Sequence, residues 1–74
     1  MTPIVNIAGY KFVALDGLHD RRRQLREQCD ALGLKGTILI SHEGINLFLA
    51  GERHSIDQFL NFLRSDEPFA DFTV

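Results

Sequence analysis

The sequence predicts an α+β sandwich in which two helices cover one face of a four-stranded antiparallel sheet. Two apolar runs, 37–40 and 45–50, flank a short polar segment that ends in Gly44, and this arrangement is typical of a β-hairpin. On either side of the hairpin, apolar residues recur at the three- and four-residue spacing of a buried helix face. Short extended patterns near both ends of the chain supply two further strands.

Length and composition restrict the chain to one small globular domain. It has 74 residues, of which 45% are hydrophobic, a content too high for a disordered segment. Every apolar run is much shorter than the ~20 residues of a membrane span, and no basic segment precedes an apolar core at the N-terminus. Cys29 is the only cysteine, which excludes an internal disulfide and favours a reducing, cytoplasmic setting.

Charge is distributed unevenly along the chain. The formal net charge is −2, but the first 36 residues carry +2 and the rest carry −4. Half of the eight basic residues lie between Arg21 and Arg26. Such a cluster can hold nucleic-acid phosphates, but Asp20, Glu27 and Asp30 weaken its field, and a solvated helix face is the alternative.

The first strand is predicted from Ile4 to Leu15. Val5 and Ile7 share one parity, while Tyr10, Phe12 and Ala14 share the other. Gly9 lies at the change, where a bulge or the close approach of another backbone segment would reset the strand.

A helix is predicted from about Gly17 to Leu32. Asp16 is a candidate N-cap, and Gly33 stands where a C′ glycine terminates a helix. One arginine interrupts the apolar stripe, and we expect its stem to follow the edge of the core with its head in water. The stripe consists of Leu18, Arg22, Leu25, Cys29 and Leu32.

The central hairpin is predicted to turn at His42-Glu43-Gly44, with Gly44 at a positive φ. Polar and apolar residues do not alternate in its strands. We therefore expect these strands in the middle of the sheet, covered on at least one face and poorly solvated on the other.

A second helix is predicted from about Arg53 to Arg64, where Pro68 prevents its continuation. Residues 69–74 then resume an extended pattern. The element order is β-α-β-β-α-β, which with right-handed crossovers gives a ferredoxin-like sandwich with the first and third strands central. Because the last strand is cut short, we expect a fragment of a longer protein; a complete but minimal domain is the alternative.

Few residues are candidates for catalysis or metal binding. His19, His42 and His54 lack the spacing of metal ligands and are expected on the surface. His42 and Glu43 could form an acid/base pair at the hairpin tip, with a binding or domain-contact role and simple turn formation as alternatives. Cys29 lies on the apolar stripe, which favours a buried structural thiol over a nucleophile. We predict no catalytic residue, metal or cofactor in this chain.

Several segments carry a recognisable pattern. The most specific is K-G-T-[IL]-L-x-x-x-E-G-I-N, which the chain matches from Lys35 to Asn46. The others are Tyr10-Lys11-Phe12-Val13, Leu32-Gly33-Leu34, Ala50-Gly51, Ile56-Asp57 and Phe59-Leu60. Together they resemble the N-terminal domain of the rhodanese-related tRNA uridine hydroxylases, over nearly the whole chain. Ser41-His42 and Leu47-Phe48 depart from the Ala-Pro and Gly-Thr often found in that family.

The resemblance implies an acylphosphatase-like N-terminal domain, followed in a longer protein by a rhodanese domain with the catalytic cysteine. Cys29 does not match that cysteine. The whole protein would then take part in oxygen-dependent 5-hydroxylation of the wobble uridine of bacterial tRNA, with this chain as an accessory, non-catalytic domain. The residues expected to contact tRNA or the neighbouring domain are Arg21, Arg22, Arg23, Arg26, Lys35, His42, Glu43 and Asn46.

Two other hypotheses stand beside this one: a stand-alone acyl phosphate hydrolase and a structural protein-interaction module. The fold resembles acylphosphatase, but that enzyme's catalytic asparagine would fall at Ile40, which cannot orient a water molecule. Its phosphate loop would fall at 14–18, which lacks both the glycine-rich cradle and the arginine. Similarity of fold alone does not confer activity.

Overall fold

The computed structural model describes residues 3–74, which form an antiparallel sheet, two α-helices and a 3₁₀ turn. The elements in chain order are β1 (Ile4–Phe12), α1 (Leu18–Leu32), β2 (Lys35–Ser41), β3 (Gly44–Glu52), α2 (Arg53–Arg64) and the 3₁₀ turn (Glu67–Phe69).

The described strands lie in the order β1-β3-β2, with β3 in the centre. β3 pairs antiparallel with β1 from Ile4↔Glu52 to Phe12↔Gly44 without interruption. On its other side it pairs with β2, and the hairpin closes at Ser41↔Gly44. The turn is therefore His42-Glu43, and Gly44 is the first residue of β3.

The core lies between the sheet and the helices. β3 contributes Ile45, Leu47 and Leu49, and Leu47 is completely buried. α2 is the main covering helix, because four of its side chains are buried while only Leu25 of α1 reaches the same degree of burial. The buried residues of α2 are Ile56, Phe59, Leu60 and Leu63.

Both predicted helices are confirmed within one residue. Gly33 ends α1 in the left-handed region at φ 69°, and the next amide, that of Leu34, donates to the Cys29 carbonyl at 2.9 Å. The predicted N-cap is wrong. Gly17 occupies that position at φ 59° with no side-chain cap, and the Asp16 carbonyl instead accepts a hydrogen bond from Arg21 Nε at 2.8 Å.

The first strand differs from its prediction in two ways. It ends at Phe12, and the following segment binds the hairpin turn through Val13 N–H donating to the Glu43 carbonyl at 3.0 Å. It also has no bulge at Gly9. Gly9 is instead a point of close approach, because a Cβ there would lie 2.8 Å from both the Phe72 ring and the Thr73 carbonyl oxygen.

The prediction that neither face of the hairpin is well solvated is wrong. Exposure alternates along β3, and Phe48 is 56% exposed between the buried Leu47 and Leu49. Leu39 on β2 is 61% exposed. The helices cover one side of the sheet, so every second apolar side chain faces away from the core.

The predicted strand at 69–74 is also wrong for the part of the chain that the structure describes. Phe69 and Phe72 are both buried, at 1% and 2% exposure. Residues three apart share a face in a helical turn but lie on opposite faces of a strand, so their burial requires the 3₁₀ turn and the bend that follows it. β1 therefore lies at an edge of the described sheet, whereas the prediction placed it in the centre.

Candidate functional site

The residues predicted to contact tRNA or a second domain lie on two elements and do not form one site. Arg21, Arg22, Arg23 and Arg26 belong to α1, in the helical layer. Lys35, His42, Glu43 and Asn46 belong to the hairpin of β2 and β3. The structure gives no direct test of their binding role, so it stays a prediction.

Arg21 has a structural role. Its guanidinium forms an ion pair with Asp66, donates from Nε to the Asp16 carbonyl, and lies over the Phe69 ring at 5.8 Å. The side chain is only 19% exposed. These contacts join α1 to the segment after α2, so Arg21 is poorly placed to bind a phosphate.

The other three arginines of α1 differ in how much of their charge is free. Arg22 donates to the Ile40 carbonyl at 3.0 Å and so ties α1 to β2. Arg23 pairs with Glu27 at 3.0 Å. Arg26 is exposed, and within residues 3–74 its guanidinium makes no hydrogen bond or ion pair. The basic cluster therefore offers much less free charge than its sequence suggests.

His42 and Glu43 form the hairpin turn and bind the segment that follows β1. The His42 ring nitrogen Nδ1 lies 3.0 Å from the Leu15 carbonyl, and the His42 carbonyl accepts from the Leu15 amide at 3.0 Å. The Glu43 amide donates to the Ser41 hydroxyl at 3.2 Å. The contact with Ser41 lies within the turn, the two contacts with Leu15 attach the turn to the segment after β1, and Glu43 is exposed.

Asn46 lies on a surface that the sequence reasoning missed. We call it the outer sheet face: the side of the sheet opposite α1 and α2, defined by Ile4, Asn6, Ala8, Tyr10, Phe12, Lys35, Thr37, Leu39, Ser41, Asn46, Phe48, Ala50 and Glu52. In the register, Asn46 stands between Tyr10 and Leu39. The parity change at Gly9 was the available signal, because an unbroken strand carries Tyr10 and Phe12 to the side opposite Val5 and Ile7.

Of the two residues that the catalytic hypotheses concern, Cys29 is half-buried and Ile40 is buried. Burial, with a smaller contribution from the Asp30 carboxylate, raises the pKa of the Cys29 thiol above its ordinary value, so the thiol is protonated at neutral pH. Ile40, at the position of the acylphosphatase asparagine, is a core residue with 6% exposure. Ile40 therefore offers no polar group to a water molecule, and the protonated Cys29 thiol is a poor nucleophile.

Metal ligands and membrane-spanning helices are both absent from residues 3–74. No group of three or more His, Cys, Asp or Glu side chains in this range lies close enough together to hold a metal ion. In the same range, neither helix has the length and apolar character needed to cross a membrane.

Comparison with known proteins gives a consistent match. The family model for the UPF0176 acylphosphatase-like domain matches residues 4–74. A tRNA uridine(34) hydroxylase of Cupriavidus taiwanensis is 59% identical over 68 residues, which are 92% of this chain and 24% of the relative. A protein of the same name from Bordetella avium is 59% identical over 71 residues, 96% of this chain and 29% of the relative. The chain thus spans about a quarter of the length of the curated relatives it matches.

Proposed function

This chain belongs to the family of UPF0176 acylphosphatase-like domains, and we propose that it is the accessory N-terminal domain of a protein that hydroxylates uridine 34 of tRNA. The observation that carries this proposal is the 59% identity to a tRNA uridine(34) hydroxylase over 92% of this chain. The rest of that relative, about three quarters of its length, has no counterpart here. The proposed setting is the cytoplasm, where tRNA is modified.

We propose that the chemistry resides outside this chain, in the rhodanese domain that the sequence resemblance implies. Two features support this division. The Cys29 thiol is half-buried and its pKa is raised, which disfavours a thiolate nucleophile. Ile40 removes the amide on which the hydrolase hypothesis depends. The oxidoreductase activity would then need the longer protein, with this chain supplying binding surface or domain contacts.

The free edge of β1 supports a four-stranded sheet in the longer protein. β1 has nine residues and, within 3–74, pairs on one side only. A long unpaired edge tends to acquire a partner strand. We propose that residues beyond Val74 provide it, in place of the 69–74 segment that forms the 3₁₀ turn and the bend.

A complementation experiment tests the proposed function. The longer gene product, the same product without residues 1–74, and this chain alone are each expressed in a bacterium that lacks its own uridine 34 hydroxylase. Mass spectrometry of tRNA nucleosides should detect 5-hydroxyuridine derivatives with the longer product and none with this chain alone. Hydroxylation by this chain alone would contradict the accessory role, and none from the longer product would contradict the assignment to this pathway.

A further inference from the structure

The outer sheet face is unusually apolar for a surface of so small a domain. Five of its side chains are large hydrophobic groups that are 56–82% exposed: Ile4, Tyr10, Phe12, Leu39 and Phe48. Contiguous exposed apolar patches are typical of interaction surfaces.

Four of these side chains are neighbours. Tyr10, Asn46 and Leu39 form one row across the three strands, and Phe48 belongs to the adjacent row. Phe12 lies beside Tyr10, with ring centroids 5.6 Å apart. A shallow depression of about 470 Å³ lies between Tyr10, Phe12, Leu39 and Asn46. The patch is therefore concave, and a side chain of another surface can fit into it.

Charge on this face favours a protein partner over RNA. Lys35 and Glu52 lie at the end remote from Phe12, and the other polar members are neutral amides and hydroxyls. The one charged side chain that borders the depression is the Glu43 carboxylate, which repels phosphates. The arginines of α1 are in the helical layer, on the other side of the sheet. Binding of RNA relies on cations that meet phosphates, whereas the centre of a protein interface is poor in charge and rich in aromatic side chains.

The length of the relatives favours a partner within the same, longer polypeptide. About three quarters of each relative lies outside the matched region. Phe72 and Thr73 pass directly against Gly9, the neighbour of Tyr10 on β1. These contacts lie on the core side of β1, an edge strand of the described sheet, so a polypeptide that continues from there has only β1 to pass before it reaches the outer sheet face.

We propose that the outer sheet face is the docking surface for the C-terminal part of the longer protein, with Tyr10, Phe12, Leu39 and Phe48 at its centre. This inference rests on the proposed function, because it requires a longer protein. The matching surface should be apolar and largely uncharged.

Hydroxyl-radical footprinting with mass spectrometry tests the proposal on the longer gene product and on this 74-residue chain. Oxidation of Tyr10 and Phe12 should fall several-fold in the longer protein, because a docked domain excludes solvent from both rings. His54, exposed on α2 in the other layer, is the matched control and should react equally in both proteins. The double variant Leu39→Ser/Phe48→Ser should restore oxidation of Tyr10 in the longer protein.

Equal oxidation of Tyr10 and Phe12 in both proteins would overturn the proposal. Protection that needs added tRNA would assign the face to RNA, and protection of the short chain that rises with its concentration would assign it to a second copy; either result also overturns it. Hydroxylation of tRNA is measured on the same samples. Protected rings in a protein without hydroxylase activity would leave the docking surface standing and refute only the proposed function.

Discussion

Two features exclude a side chain at Gly44: its backbone conformation and the backbone of Lys11 on the paired strand. Its φ of 149° lies in a region that side chains with a Cβ rarely adopt, and a Cβ there would lie 2.1 Å from the Lys11 carbonyl oxygen. Gly33 meets only the first constraint, since its φ is 69° and no atom lies within 4 Å of the position that a Cβ would take. The two glycines therefore separate backbone strain from steric overlap.

We expect Gly44→Ala to lower the free energy of unfolding by about 3 kcal/mol or more, since strain and overlap add, and Gly44→Val to do at least as much. Gly33→Ala, the control, should cost about 1–2 kcal/mol from the left-handed conformation alone. Chemical denaturation of the variants measures both values. Equal losses would mean that the Lys11 backbone moves away without cost.

Lys11 anchors the C-terminal segment to β1. Its ammonium donates to the Pro68 carbonyl at 2.8 Å and forms an ion pair with Asp71. The hydrogen bond from Lys11, followed by its positive charge, lowers the pKa of the Asp71 carboxyl below its ordinary value of 3.8. Because Asp71 is solvent-exposed, the ion pair contributes little to stability. The pKa of Asp71 is instead a measure of whether the C-terminal segment lies against Lys11.

NMR titration of the Asp71 carboxyl should therefore give a pKa below 3.8 in the wild type. Lys11→Met should raise this pKa toward the ordinary value, while Lys11→Arg should keep it low. Because the folded-state pKa is depressed, the stabilisation is present above the ordinary pKa and is lost as the pH falls through the folded value. An unchanged pKa in Lys11→Met would mean that the two side chains do not meet in solution.

Among the elements, β3 shows most directly how the sheet is divided between core and surface. Leu47 has no exposed area, and Phe48, the next residue, is 56% exposed. Their side chains point to opposite faces because strand residues alternate. The free energy of folding should therefore depend far more on Leu47 than on Phe48.

Leu47→Ala should destabilise the chain by about 2–5 kcal/mol through a core cavity. Phe48→Ala should change stability by only about 0.5 kcal/mol in this chain, although a larger side chain is removed. Thermal or urea denaturation distinguishes the two. Comparable losses would mean that the outer sheet face is covered even in this short chain.

α1 combines a structural arginine with a free one. Arg21→Gln should lower stability by about 2 kcal/mol, because it leaves Asp66 without its ion pair and the Asp16 carbonyl without its donor. Arg26→Gln, on the same helix, should stay within about 0.5 kcal/mol. Urea denaturation provides the measurement, and similar small effects for both would show that the Arg21 contacts contribute nothing. Charge reversal at Arg21 is for this reason a poor test of RNA binding.

At the scale of the whole molecule, the net charge of −2 and the small number of free cations limit any contact with tRNA. Arg26 and Lys35 are the exposed cations best placed to contribute in the first half of the chain. Two phosphate contacts correspond to weak binding, with a dissociation constant of about 10⁻⁴ M and a shallow dependence on salt.

Salt titrations of tRNA binding to the longer gene product test this contribution. Arg26→Glu should weaken binding and reduce the salt slope by about one unit, because one phosphate contact is lost. Arg53→Glu is the control, since it reverses one exposed charge on α2, outside the predicted contact set. If both variants weaken binding equally, Arg26 acts only through the net charge of the protein and does not contact a phosphate.

The sequence by itself determined the helices and the hairpin, because periodic apolar stripes and glycine positions are local signals. α2 has the predicted bounds, Arg53–Arg64, and Gly33 and Gly44 take the backbone conformations that their positions predict. The family resemblance likewise rested on local segments, Tyr10-Lys11-Phe12 and Lys35 to Asn46, that are now found on neighbouring strands.

Only the tertiary structure decided which faces those elements bury and which charges remain free. Periodicity shows that Arg21 and Arg26 lie on one helix, but only the packing of the segment after α2 brings Asp66 and Phe69 to Arg21. Parity shows a change at Gly9, but whether the strand bulges or turns two aromatic rings outward depends on Phe72 pressing against it. Contacts between residues distant in sequence set both outcomes, and no local pattern encodes them.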